Sequence, residues 1–279
     1  MLTASAFVTP VVLTIVAGLI AAVLLTVAGK IFAVPVDETA VKIRECLPGA
    51  NCGACGYAGC DGYADALANG MTDQVNLCVP GGNSVARQVG AVLGVDAGEV
   101  TPKVAVIHCG GNCDSTGLRT DYQGIHSCAA AMLMYGGNGN CVFGCIGYGD
   151  CMSVCPQNAI CIERGIAHVD PRACEGCGQC AKKCPKNLIT IENRTVKTLV
   201  TCHNQDKGAL TRKVCSHGCI GCYKCVKACP EQAITVENFL ARIDYSKCRN
   251  CGECAKVCTT GCIVLSDFGP APVMEEAAD

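Results

Sequence analysis

One spacing constrains this chain more than any other feature: Cys174, Cys177, Cys180 and Cys184 followed by Pro185, four thiols in the pattern C-x2-C-x2-C-x3-C-P. A disulfide needs two Cα atoms about 4.4–6.8 Å apart with suitably directed Cβ atoms. Thiols this close in sequence converge on one point instead, which suits a metal centre. The same run recurs at Cys219, Cys222, Cys225 and Cys229 with Pro230, and at Cys248, Cys251, Cys254 and Cys258, where Thr259 replaces the proline. A fourth, irregular run has longer gaps: Cys141, Cys145, Cys151 and Cys155 with Pro156. Residues 155–174 align without a gap to residues 229–248, so one module occurs twice. In each copy a short apolar strand follows "CP", a turn reverses it, and "IAHVD" or "LARID" returns, which predicts small α+β units.

This run binds [4Fe–4S] clusters in bacterial two-cluster ferredoxins, where the fourth cysteine ligates the neighbouring cluster. Interleaving assigns Cys219, Cys222, Cys225 and Cys258 to one cluster, and Cys248, Cys251, Cys254 and Cys229 to another. By analogy Cys141, Cys145 and Cys151 join Cys184, while Cys155 joins Cys174, Cys177 and Cys180. Upstream, "NCGACGYAGC" offers Cys52, Cys55 and Cys60, with Cys78 a helix later as the fourth ligand. Five clusters thereby use twenty of the 28 cysteines. Cys46, Cys161 and Cys262 are expected to be packed thiols, the last two because they align with Thr235 and with Ala159 and Ala233.

"KVAVIHC" ending at Cys109 resembles "VKTLVTC" ending at Cys202. Two paired strands here would let four of Cys109, Cys113, Cys128, Cys202 and Cys215 hold a sixth cluster; the alternative is a reduced core with incidental thiols. A zinc-stabilised scaffold or binding protein is the competing reading of another class. Zinc knuckles, however, come in separated pairs, not in three-thiol runs.

Cysteine at this density, against 5 Phe, 7 Tyr and no Trp, would suggest a disulfide scaffold only in a short secreted chain. Metal-binding thiols instead imply a reducing, cytosol-facing setting. Met1 to Gly29 carries no charge and is long enough to cross a hydrocarbon core of about 30 Å. It lacks the basic start of a signal peptide. Lys30, Lys42 and Arg44 follow it, placing the remainder in the cytoplasm of a single-pass membrane protein.

The expected fold is α+β: a transmembrane anchor (1–33), a small helical [4Fe–4S] domain (34–95), and tandem two-[4Fe–4S] ferredoxin-like modules at 141–195 and 219–266. A strand-containing cysteine segment (103–140) would share the extra cluster with 196–218. In the helical domain Asp37 is a candidate N-cap, Gly70 a helix end, and Asn83 or Ser84 a helix start. Closed thiolate shells leave no open coordination site or acid–base pair, so no catalytic residue is expected and the clusters read as one-electron carriers. Aromatics at 4% give no support for nucleic-acid stacking.

Together, "CGACGYAGCDGYA", "VAVIHC", "GGNGNCVFGCIGYGDC", the four runs and the apolar N-terminus resemble the B-type member of the Rnf complex, the ion-pumping ferredoxin:NAD oxidoreductase of membranes. The resemblance implies an electron-transfer protein that accepts electrons from soluble ferredoxin and relays them to membrane partners, the A, C, D, E and G components of the same complex. It also implies a separate flavin component for NAD. Electron-transfer components of other membrane-bound anaerobic reductases or dehydrogenases are the alternative, but they usually lack "CGACGYAGC". Residues 160–258 carry 16 Lys or Arg against 9 Asp or Glu. A basic face would steer an acidic ferredoxin, with Lys182, Lys183 and Lys186 as candidate contacts, unless these charges only offset anionic clusters.

Overall fold

The computed structural model describes residues 3–31 and 37–269. Helix α1 (Thr3–Ile31) contains the apolar window Val11–Gly29, with mean hydropathy 2.8 and none of it buried against the rest of the chain. Its length and composition are those of a membrane span. The expected boundary between anchor and helical domain, at 33/34, lies outside the described residues.

Helix α2 (Glu38–Cys46) starts where expected: the Asp37 carboxylate accepts a hydrogen bond from Thr39 N at 2.8 Å. It packs with α3 (Gly59–Ala68) and α4 (Gly82–Leu93) around Ile43, Tyr63 and Val89, the most deeply buried large side chains of this core. The Tyr63 hydroxyl donates to Gln74 O at 2.6 Å, which draws the segment leading to Cys78 onto α3. The start of α4 differs from expectation, because it has no side-chain cap. Asn83 Oδ1 instead accepts from Val100 N at 2.7 Å, pinning the connector that leaves the helical domain.

From Lys103 onward the elements are short: β1 (Lys103–Ile107), α5 (Cys128–Met132), β2 (Ile160–Glu163), β3 (Ile166–Val169), α6 (Gln179–Lys183), β4 (Ile189–Asn193), β5 (Thr198–Val200), α7 (Gly208–Val214), α8 (Lys224–Ala228), β6 (Ile234–Glu237), β7 (Leu240–Ile243), α9 (Glu253–Lys256) and β8 (Ile263–Leu265). Hairpins β2–β3 and β6–β7 form after "CP" as the repeat predicts. The strands ending near Cys109 and Cys202 do not pair with each other as expected. Strand β1 pairs antiparallel with β4, and β5 with β8, so each closes its own unit. Val104, Ala105 and Val106 are all buried, as are Thr198, Leu199 and Val200. A strand covered on both faces needs apolar partners in register, and Ile189 and Ile191 supply them opposite Ile107 and Ala105.

The two strands nonetheless meet end to end. Gly110 N donates to Thr201 O at 2.9 Å, and His108 Nδ1 donates to Val200 O at 2.8 Å while Nε2 accepts from Thr190 Oγ1. Cys109 and Cys202 are thereby brought to one seam. Arg194 ties the units a second time: its guanidinium donates to Pro171 O and Cys174 O in the first unit and to Phe268 O, beyond β8, in the second. The helical domain docks through Lys182, whose Nζ donates to Cys52 O at 2.7 Å.

Two outcomes follow from these ties. Arg194→Met leaves three carbonyls without their charged donor and should lower stability by about 3 kcal/mol, read as a reduced urea midpoint. Lys182→Met removes one partly exposed bond, so amide protection around Cys52 should fall about two- to tenfold in hydrogen exchange while protection in β6 and β7 is unchanged.

Candidate metal centres

All the cysteines are free thiols, and among the described residues no three His, Cys, Asp or Glu converge on a single-ion position. They line small cavities in sets. Cys229, Cys248, Cys251 and Cys254 line one. Cys219, Cys222, Cys225 and Cys258 line a second, joined by Cys262. In the first unit Cys180 lies within electrostatic reach of Cys174 and Cys177, and Cys177 of Cys155. In the helical domain Cys78 lies within reach of Cys52, Cys60 and Cys55. These four groups match the interleaved sets drawn from spacing.

The other two groups differ from expectation. Cys145, Cys151 and Cys184 share their cavity with Cys128 and not with Cys141. Cys141 instead lines a neighbouring cavity with Cys109, Cys202 and Cys215, which Cys145 also borders. Asp150 is the cause for Cys128: buried at 9% exposure, its carboxylate accepts from Cys128 N at 2.9 Å, Ala129 N at 3.0 Å and Ser127 Oγ at 2.9 Å. Burial pushes its pKa up, but these donors outweigh burial and hold the carboxyl below its ordinary value. An ionised Asp150 thus caps α5 and sets Cys128 beside Cys151, which no spacing rule signals. Cys141 is held on the other side by Asn204, whose Nδ2 donates to its Sγ at 3.4 Å.

Cys113, grouped with the extra set on sequence, is exposed and faces Asp114, away from that cavity. Cys161, expected to be packed, is exposed on β2, because hairpin alternation turns it outward and buries Ile160 instead. Cys46 is half-buried, with its thiol donating to Lys42 O at 3.3 Å. Cys262 is buried and lies 3.6 Å from Cys258 Sγ. Its hydrogen bonds to Cys219 and Cys258 hold it protonated and pull those two thiols down, to about 6 and about 4.

Backbone N–H groups point at the sulfurs in a repeating way. The amide four residues after a cysteine donates to it in Ala159→Cys155 (3.3 Å), Leu188→Cys184 (3.4 Å) and Ala233→Cys229 (3.3 Å), each time across a Cys-Pro turn. Burial pushes several thiols upward, Cys78, Cys145 and Cys202 to about 11 and Cys180 to about 12. A metal must displace those protons on binding. Cavities lined by four or more thiols, with backbone amides donating to the sulfurs, fit iron–sulfur ligation.

The groups also adjoin one another. Cys177 lies within reach of Cys52, and Cys180 of Cys151. Cys145 N donates to Cys109 Sγ at 3.3 Å, and Cys219 N to Cys202 Sγ at 3.2 Å. The Cys109 group therefore touches both ferredoxin-like units. Lys182 and Lys186, candidate contacts for a partner, are engaged inside the chain: Lys182 on Cys52 O, and Lys186 Nζ on Gly144 O at 2.7 Å, among the thiols of Cys141, Cys145 and Cys184.

Comparison with known proteins agrees with this chemistry. A family model for an Fe-S cluster matches residues 47–80, and two models of a 4Fe-4S dicluster domain match residues 218–262 and 173–234. The B-type protein of the Na(+)-translocating ferredoxin:NAD(+) oxidoreductase complex of Acetobacterium woodii is 44% identical over 93% of this chain and 78% of its own length. The proton-translocating counterpart of Clostridium ljungdahlii is 42% identical over 91% of this chain and 90% of its own length. The B-type protein of the ion-translocating oxidoreductase complex of Methanosarcina acetivorans is 37% identical over 89% of this chain and 94% of its own length. With identity sustained through the helical and ferredoxin-like parts alike, the chain belongs to the RnfB family, the B-type proteins of the ion-translocating ferredoxin:NAD(+) oxidoreductase, or Rnf, complex.

Proposed function

We propose that this chain is the membrane-tethered electron relay of that complex, with six four-cysteine ligand sets. The sets are Cys52, Cys55, Cys60 and Cys78; Cys155, Cys174, Cys177 and Cys180; Cys128, Cys145, Cys151 and Cys184; Cys109, Cys141, Cys202 and Cys215; Cys219, Cys222, Cys225 and Cys258; and Cys229, Cys248, Cys251 and Cys254. A bound [4Fe–4S] cluster supplies one-electron chemistry with no open site for substrate. The observation that carries the reading is the placement of Cys128 with Cys145, Cys151 and Cys184, and of Cys141 with Cys109, Cys202 and Cys215, with Cys145 bordering both cavities.

The remaining residues act on the sulfurs. Amides of Ala159, Leu188 and Ala233 donate to ligand thiolates and favour their charged form. Lys186 places an ammonium among the thiols of two neighbouring sets, and the Cys262 thiol sits in hydrogen-bond reach of Cys219 and Cys258 without being a ligand. Helix α1 is read as a single-pass anchor, with Lys42 and Arg44 favouring a cytoplasmic position for the thiol sets. Reduced soluble ferredoxin is the proposed donor, and the other Rnf proteins of the membrane are the proposed acceptors. The domain boundaries proposed from strand pairing are 103–193 and 198–265, so that β1 and β5 belong to the ferredoxin-like units and not to a separate segment.

Iron analysis of the anaerobically purified chain tests the ligand sets. Cys141→Ala and Cys202→Ala should each cost about four irons per chain, whereas Cys113→Ala and Cys161→Ala should cost none. Full iron in Cys202→Ala, or a colourless zinc-loaded protein, would contradict the sets.

A further inference from the structure

Among the ligand cysteines of the second unit, Cys222 and Cys251 are exposed, so the two sites reach the surface at different places. Their surroundings are unlike. Around Cys251 the cations are neutralised: Arg249 pairs with Glu231, Lys256 with Glu253, and Lys247 with Asp244. Beside Cys222, Arg242 of the β6–β7 hairpin pairs with Glu237, but the cations of the Cys222 stretch itself are unpaired. Between residues 207 and 230 the chain carries Lys207, Arg212, Lys213, Lys224 and Lys227 and no Asp or Glu. All five are exposed, and none has an ion pair among the described residues.

Backbone conformation marks the same place. The residue after the second cysteine of each regular run begins a short helix in the left-handed region, and two of the three runs use glycine there: Gly178 at φ 78° and Gly252 at φ 77°. The third uses Tyr223, at φ 59° and 51% exposed. The β2–β3 hairpin turns on Gly165 at φ 81°, whereas the equivalent residue of β6–β7 is Phe239, at φ 60° and 44% exposed. Left-handed backbone disfavours large side chains. Rings left about half exposed recover only part of that strain through burial, and such outliers point toward a surface function.

The two positions are neighbours. A side chain added at Gly221 would meet Phe239 Cα at 3.1 Å, and one at Gly208 would meet Ile220, so Lys207 and Phe239 both flank the Gly221–Tyr223 corner. Lys227 N bonds to Tyr223 O at 3.1 Å, placing Lys227 one turn further on. Tyr223 and Phe239 therefore lie on either side of the Gly221 corner next to Cys222, a corner of the stretch that carries Lys207, Lys224 and Lys227.

We propose that this face is where an acidic, low-potential electron-carrier protein docks. Apolar anchors within a charged rim make a short-lived protein interface, and unpaired cations steer a negatively charged partner into it. One electron would leave the carrier's metal centre, oxidising it, and reduce the cluster that Cys219, Cys222, Cys225 and Cys258 would hold, with no bond or proton moving. The proposal rests on the ligand sets above, and its test separates the two.

The probe is a reduced acidic two-cluster ferredoxin mixed with the iron-loaded full-length chain, followed by bleaching near 400 nm. The triple variant Lys207→Glu, Lys224→Glu, Lys227→Glu should react about ten- to a hundredfold more slowly at low salt, with the gap closing at high salt. Its iron content and its full bleaching by dithionite at equilibrium should match the parent. Tyr223→Gly should keep or raise the thermal midpoint while raising the ferredoxin concentration needed for half-maximal rate several-fold. Should the reversed variant lose iron, the matching Lys→Gln variant must still show a shallower salt dependence. Unchanged ferredoxin rates in an iron-replete variant overturn the docking face. Loss of binding only to phosphatidylglycerol vesicles assigns the cations to the membrane and overturns it equally. Failure of the parent chain to bleach with dithionite would instead overturn the ligand sets.

Discussion

Everything in this molecule depends on how buried sulfur is satisfied. A thiol or thiolate away from water needs donors, and the chain supplies them from its own backbone at tight turns. The Cys-Pro turns recur because proline sets φ and contributes no N–H, leaving the amide four residues after the cysteine free to reach back to the sulfur. Where Thr259 replaces proline, Cys262 occupies that position and its own thiol reaches Cys258. Few aromatic rings enter the core, Tyr57 and Tyr63 in the helical domain and Tyr245 and Phe268 further on, while cysteine sulfur is present in each of the three buried clusters. Packing and ligation share the same atoms.

That economy places the thiol sets in contact. The strands β1 and β5 each close their own unit, yet their ends are stitched at Gly110, Thr201 and His108, and the cysteines at those ends face a common cavity. The group of Cys109, Cys141, Cys202 and Cys215 draws two members from each side of that seam. Lys182 does the corresponding work at the other end, joining the helical domain to the first unit beside Cys52. An electron carrier needs short gaps between its centres more than it needs a deep pocket, and seams of this kind provide them.

Much of this was readable from residue order, for a specific reason. Cys248, Cys251 and Cys254 lie within one turn-rich stretch, so chain geometry alone obliges them to share a cavity, and Cys229 follows by the internal repeat. The hairpins, the Asp37 cap and the apolar first helix were equally local. The readings that changed involved residues whose neighbours are remote. Cys141 is four residues from Cys145 and yet is missing from the cavity that Cys145 shares with Cys151 and Cys184, where Cys128 arrives from the start of α5. Lys182 and Lys186 look like a surface patch in sequence, but their ammonium groups are turned onto carbonyls of other segments.

Residue order by itself therefore determined the chemistry: spaced thiols, an apolar span and a duplicated module admit iron–sulfur ligation at a membrane, because those requirements are met within stretches of a few turns. Only the tertiary structure decided which thiols keep company across the seam, and which cations and aromatics are left facing water at Cys222. Those outcomes depend on Asp150 capping α5, on Asn204 holding Cys141, and on ion pairs formed by the cations around Cys251 but not by those of the Cys222 stretch. Contacts between residues this far apart in the chain exist only once the units have packed.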